Sequence, residues 1–200
     1  MFSLSDLLGD QQGNDTLGQI SSAIGADQGA TSSAIQMALP MIVSGLANNA
    51  STPDGAQSLN NALEQDHSGG GLLGNIGGLI MGQLQPSRET DGGGILGHIL
   101  GTKKDQAAET ISSHSGLNTG QVMQVLMMLA PIVMSFLGKK KQEENLDPGG
   151  LAGYLGGQQQ QMQSADSGIM GMVTGFLDSD KDGSALDDVA SMAFNYFNKK

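Results

Sequence analysis

The sequence predicts an all-α, multihelical fold made of two tandem pseudo-symmetric helical repeats and a C-terminal EF-hand-like helix–loop–helix. Apolar residues recur at helical spacing, and no strand-like alternation persists over six residues. A long segment of the first half recurs in the second half, as expected for a duplicated unit. The acidic stretch DSDKDGSALDD, residues 178–188, has the residue spacing of a cation-binding loop.

The duplication is clearest in the apolar segments. Residues 20–46 align with residues 111–137 without a gap, at an offset of 91, and nine of the 27 positions are identical. Ordinary residue frequencies predict about two identities over such a length. Pro40 and Pro131 occupy matching places in this alignment. The chain therefore divides into repeat A over 1–91, repeat B over 92–183, and a helix over 184–200 that completes the acidic loop.

The periodicity also predicts the individual helices. In repeat A we expect helices over residues 2–8, 15–24, 30–48, 55–65 and 71–84. In repeat B we expect them over 94–100, 105–114, 119–138, 149–157 and 167–177, with a final helix from about 185 to 197. Linkers or loops are expected at 85–93, 139–148 and 158–166. Pro40 and Pro131 should each kink or split the longest helix of their repeat.

The glycines show a helical spacing of their own. Gly70, Gly74, Gly78 and Gly82 are four residues apart, so on a helix they would form one bare stripe. Such stripes let two helices approach closely, and we expect Gly74 and Gly78 at a close helix–helix crossing, within one chain or between chains. A nucleotide-binding loop is not indicated, because neither the Lys of a phosphate loop nor a preceding strand is present.

Composition and charge exclude several classes of function. The net charge is −11, and residues 1–87 contain no Lys or Arg, so we expect no nucleic-acid partner. Cations and basic partners are favoured instead. The most apolar run, residues 122–137, is shorter than the roughly 20 residues that span a bilayer, so membrane association is not expected. In the N-terminal stretch, Asp6 stands where a signal peptide would be apolar. We therefore expect a cytoplasmic protein. Secretion by a route that needs no signal peptide is left open.

No catalytic constellation is visible. The chain has no Cys and three His, and it contains neither a zinc-protease HExxH nor a GxSxG nucleophile elbow. His114 is flanked by Ser113 and Ser115, but adjacent side chains on a helix diverge. We therefore predict that the protein is not an enzyme.

The acidic loop near residue 180 predicts a calcium site. Asp178, Asp180 and Asp182 fall at positions 1, 3 and 5 of an EF-hand-type loop, and Gly183 falls at the sharp turn. Alternate side chains of such a loop converge, so the three carboxylates would repel one another without a cation. Val189 stands at position 12, where an EF-hand loop usually carries a bidentate acid. Asp187 and Asp188, at positions 10 and 11, would take its place. Because the usual bidentate acid is missing, we expect weak or moderate affinity for calcium. The predicted ligands are Asp178, Asp180, Asp182, Ser184 (through its carbonyl), Asp187 and Asp188.

A helix cap is the alternative interpretation of this loop. Ser184 with Asp187 three residues later would make a capping box for the last helix. That interpretation leaves Asp178 and Asp180 unexplained, because they precede the cap. The aligned positions of repeat A carry Met81 and Gln83, so the repeat itself does not require acids there.

Several segments resemble a large bacterial family of unknown function that includes the YidB-like proteins. They are ALPMIVSGLANNA (38–50), the glycine-rich GGGLLGNIGG, the second-repeat LAPIVMSFLG and the late DxDxDGS loop. The resemblance implies an all-α multihelical fold. It implies no established activity and no catalytic residue.

Together these observations predict a non-enzymatic calcium-binding protein that acts as an interaction or regulatory module. Its partner would be a protein or a second copy of the chain. The alternative is a structural, self-assembling protein whose glycine-striped helices pair between chains and which has no metal function.

Overall fold

A computed structural model describes residues 4–165 of the chain. Over this range the chain is helical and contains no strand, which confirms the all-α prediction. The α-helices are α1 (Leu4–Leu8), α2 (Asp10–Ile24), α3 (Gln28–Ala50), α4 (Pro53–Asp66), α5 (Ile76–Ile80), α6 (Gly92–Leu100), α7 (Lys104–Ser115), α8 (Thr119–Glu144) and α9 (Pro148–Ala165). Two 3₁₀ segments are Ser68–Asn75 and Gly101–Lys103.

Helices α3 and α8 form the centre of the hydrophobic core. They pack against each other, α7 and α9 cover further faces of α3, and α6 and the first 3₁₀ segment cover α8. Ile42 on α3 and Leu129 on α8 are completely buried. Apolar side chains occur nearly all round both helices, and such a helix is stable in water only when it is enclosed by others.

The same two helices are long and apolar enough to cross a membrane, judged by length and composition. In their most apolar windows, however, 72% of the α3 residues and 61% of the α8 residues are buried inside the protein. Most of this apolar surface therefore contacts other helices of the chain.

Equivalent turns lead into the two long helices. α2 ends at Gly25 and α7 at Gly116, both in the left-handed conformation (φ 64° and 81°) that glycine adopts without strain. Two residues later, the side chains of Asp27 and Asn118 accept hydrogen bonds of 2.7 and 2.9 Å from N–H groups in the first turn of the next helix. Gly25 and Gly116 are 91 positions apart, and so are Asp27 and Asn118. This distance equals the offset of the sequence alignment.

The two helix prolines also occupy equivalent places. Pro40 is the thirteenth residue of α3, and Pro131 is the thirteenth residue of α8. Both helices continue through their proline, so neither helix is split there. Both prolines are buried among apolar side chains, and this packing offsets the one hydrogen bond that each proline removes.

Three predicted segments differ from the structure. Residues 71–84 do not form one helix but a 3₁₀ segment followed by the short α5, because each glycine costs about 1 kcal/mol of helix propensity relative to alanine. Residues 139–148 are not all linker: α8 runs to Glu144, with (i, i+4) pairs such as Lys140–Glu144 at 2.9 Å. Residues 158–165 belong to α9 rather than to a polar loop, because glutamine is a good helix former.

Among residues 4–165, Gly74 and Gly78 do not lie at a close helix–helix crossing, so that part of the glycine-stripe prediction is wrong. A Cβ atom at Gly74 would contact nothing within 4 Å, and one at Gly78 would meet the side chain of Asn75, three residues away in sequence. Close packing against a different part of the chain occurs at other glycines, namely Gly13, Gly45, Gly92 and Gly138. Spacing along the sequence therefore did not identify the glycines at which helices meet.

Candidate functional site

The predicted calcium loop, residues 178–188, lies outside the described residues. Within residues 4–165, no group of three or more His, Asp or Glu side chains is arranged to hold a metal ion. Several acids of this part act as helix caps instead: the carboxylates of Asp27, Asp91 and Asp147 each accept a backbone N–H at the start of a helix. The described fold therefore uses its acids for capping and ion pairing.

The three histidines occupy different environments. His114 is exposed on α7, and its Nδ1 lies 2.9 Å from the carbonyl oxygen of Thr110. His98 is exposed on α6. His67 follows α4 and is only 2% exposed. His67 and His98 both line one cleft, which makes this cleft the candidate site among the described residues.

The cleft has a volume of about 650 Å³ and combines residues that are distant in sequence. Its walls are the end of α3, the length of α4, and the length of α6 with the segment that precedes it. One residue of α8, Met134, completes the lining. The apolar lining residues are Leu46, Leu59, Ala62, Ile95, Ile99 and Met134.

Hydrogen bonds from one side chain of α3 to the backbone of α6 hold the two helices together on one side of the cleft. The side-chain amide of Asn49 donates to the carbonyl oxygens of His98 at 2.9 Å and Ile99 at 3.3 Å. Gly45 permits this approach, because a Cβ atom there would lie 2.8 Å from a side-chain carbon of Ile99. On the opposite wall the Thr52 hydroxyl caps α4. The corner between α3 and α4 thus shapes the cleft.

The charged groups of the cleft are two acids and one base. Asp66 lies at the end of α4, and its carboxylate is 3.4 Å from Nε of Arg88. The Arg88 side chain is 80% exposed and that of Asp66 is 18% exposed, so the pair contributes little to stability. Asp91 caps α6 by accepting the Gly94 N–H at 2.9 Å. Arg88 carries one positive charge and Asp66 and Asp91 one negative charge each, so these three side chains give the lining a net charge of −1.

His67 places a neutral imidazole beside these charges. Its backbone N–H donates to the Leu63 carbonyl at 3.3 Å, and its carbonyl group packs against Gly138 of α8. Its Nδ1 is buried and has no hydrogen-bond partner among the described residues. Burial lowers the pKa of His67 below its usual value, while the neighbouring Asp66 carboxylate acts in the opposite direction. The ring is therefore neutral at pH 7.

The hydroxyl groups on the α4 wall are already engaged within the helix. Ser58 donates to the Asp54 carbonyl at 2.8 Å, and Thr52 accepts the Gly55 N–H at 3.2 Å. What the cleft offers a ligand is an apolar floor with carboxylates at its rim. This combination suits a group with an apolar body and a positive charge.

Sequence reasoning did not find this cleft. His67 falls between the predicted helices 55–65 and 71–84, and Arg88 falls in the predicted linker 85–93. Neither residue is part of a recognisable motif. One signal was available: Arg88 is the only Arg of the chain, and no Lys or Arg precedes it. An isolated base after a long acidic segment does not reveal its partner, because Asp66 lies 22 positions earlier.

These features define an all-helical protein with a mixed apolar and acidic cleft. The chain belongs to the family described as bacterial protein of unknown function (DUF937), whose match covers residues 6–140. This confirms the resemblance to a bacterial family of unknown function. No curated protein and no solved structure matches the chain. The family match includes α2 to α7 in full and most of α8.

Proposed function

We propose that the protein is a non-enzymatic interaction module whose helical body carries a calcium-binding loop at residues 178–188. The observation that carries this proposal is the run of three aspartates at alternate positions, 178, 180 and 182, followed by Gly183. A helix cap needs only one acceptor side chain, as the three capping aspartates of the described helices illustrate. Three converging carboxylates are better explained by a hard cation.

The body of this module is proposed to be a tandem duplication, with repeat A over 1–91 and repeat B over 92–183. The equivalent caps and prolines of α3 and α8 support this interpretation. A further support comes from Ser44 and Ser135, which are also 91 positions apart. Both are fully buried in the long helices, and neither hydroxyl has a partner in the described part of the chain.

Titration calorimetry with calcium tests the proposal. The wild type should bind one calcium ion, and the Asp178→Ala/Asp180→Ala variant should lose the heat of binding. Asp10→Ala/Asp15→Ala is the matched control, because it removes the same two charges from exposed positions of α2 and should bind calcium like the wild type. A wild type that shows no heat up to millimolar calcium would leave the helix cap as the only role of the loop.

Self-assembly is the alternative function, and the described surface offers it little support. Among residues 4–165, Met81 is the only large apolar side chain with high exposure, at 64%. Obligate interfaces need a much larger apolar area than one side chain provides. Elution volume on a sizing column, with and without calcium, separates an assembling protein from a calcium-dependent module.

A further inference from the structure

The aromatic residues of the chain are concentrated in one short segment outside the described residues. The chain has seven aromatic residues, and three of them are Phe194, Tyr196 and Phe197. Lys199 and Lys200 follow after Asn198, and no acid lies between residues 189 and 200. The segment 194–200 therefore combines large apolar side chains with two positive charges, in a chain whose net charge is −11.

The cleft between α3, α4 and α6 has the complementary composition. Its floor is apolar, formed by side chains such as Leu59, Ile95 and Met134. Its carboxylates, Asp66 and Asp91, outnumber its one base. Helix α4 carries one further acid, Asp54, that is unpaired within residues 4–165, and it has no Lys or Arg; its Glu64 is paired with Lys141 of α8 at 2.9 Å.

We propose that the segment 194–200 of the same chain binds in this cleft. Its aromatic side chains cover the apolar floor, and Lys199 and Lys200 approach the carboxylates at the rim. A buried aromatic side chain removes about 150–250 Å² of surface from water, so two of them would provide most of the driving force. The Asp66–Arg88 pair does not block entry, because an exposed ion pair is weak and Arg88 can move aside.

The chain is long enough for this contact. Helix α9 packs against α3 and α4, so the described chain ends on a helix that adjoins one wall of the cleft. Residues 166–193 are 28 residues, which would span about 40 Å if fully helical and about 90 Å if fully extended. A compact body of this size is about 40 Å across. Both lengths equal or exceed the width of the body, so residue 194 is able to reach the cleft. The proposal does not depend on calcium binding.

Engineered cysteines test the contact in the full chain, which has no Cys of its own. Asn198→Cys labels the segment without removing an aromatic or a lysine. Two double-cysteine variants are compared. The test variant adds Ser58→Cys, at an exposed position of the cleft wall. The control variant adds Glu109→Cys, which is exposed on α7 and does not line the cleft. Disulfide formation is followed in a glutathione buffer that contains EDTA. We expect the Ser58 pair to form at least 10-fold more intramolecular disulfide than the Glu109 pair.

Two further variants keep the test decisive. Asn48→Cys provides a second exposed cleft position if Ser58→Cys disturbs the fold. Replacing Phe194, Tyr196 and Phe197 together with serine should reduce disulfide formation at the cleft to the level of the Glu109 pair. Equal disulfide formation at the cleft and on α7 would overturn the proposal. Disulfide-linked dimers in place of cross-linked monomers would overturn it too, because the segment would then come from a second copy.

Discussion

Replacing Gly138 with alanine measures how closely α8 packs against the end of α4. A Cβ atom at position 138 would overlap the carbonyl oxygen of His67. This neighbour is backbone, so no side-chain rotation can relieve the overlap. Alanine normally stabilises a helix interior by about 1 kcal/mol relative to glycine. Overpacking costs about 1–3 kcal/mol, so we expect Gly138→Ala to offset this gain or to lower the free energy of unfolding.

Gly153→Ala is the matched control. Gly153 is exposed inside α9, and a Cβ atom there would contact nothing within 4 Å. This variant should gain up to about 1 kcal/mol from helix propensity alone. The difference between the two variants therefore isolates the overpacking cost, about 1–3 kcal/mol.

Urea unfolding followed by far-UV circular dichroism gives both free energies, provided that the dependence on denaturant is the same in each variant. In thermal unfolding, the expected difference corresponds to roughly 2–4 °C for each kcal/mol in a chain of this length. If Gly138→Ala is stabilised as much as Gly153→Ala, the close packing of α8 on His67 does not exist.

Three further predictions concern stability. Because burial lowers the pKa of His67 below 6.5, the unfolded chain binds this proton more readily than the folded chain. The contribution of His67 to the free energy of unfolding should therefore be complete above pH 6.5 and should decline as the pH falls below 6.5. Urea unfolding at several pH values measures this decline. The His67→Gln variant should show a weaker dependence of the free energy of unfolding on pH. Asn118→Ala removes the capping box of α8 and should cost about 0.5–2 kcal/mol by chemical denaturation, whereas Asn118→Asp should retain most of the stability. Leu129→Ala removes a fully buried side chain and should cost about 2–5 kcal/mol, and a loss below 1 kcal/mol would show that this part of the core is loosely packed.

Most helix positions were predictable from local patterns. The start of α8 was expected at residue 119 from the periodicity and is observed at Thr119, where Asn118 and Gln121 form a capping box. The end of α8 was predicted too early, at 138, because a charged segment suggested a linker. Lys–Glu pairs four residues apart extend the helix to Glu144. The end of α9 was missed in a similar way, because a run of polar glutamines was taken as a loop.

Residue spacing was enough to predict the helical class and the 91-residue offset between the segments that form α3 and α8, and short segments of sequence were enough to suggest the family. Which glycines lie at close contacts, and where a cleft forms, is visible only in the folded structure. Gly138 meets His67 across 71 positions, and Asp66 meets Arg88 across 22. Contacts between residues so distant in sequence depend on how whole helices pack. Helix packing is the sum of many weak contacts, and no short sequence pattern encodes that sum.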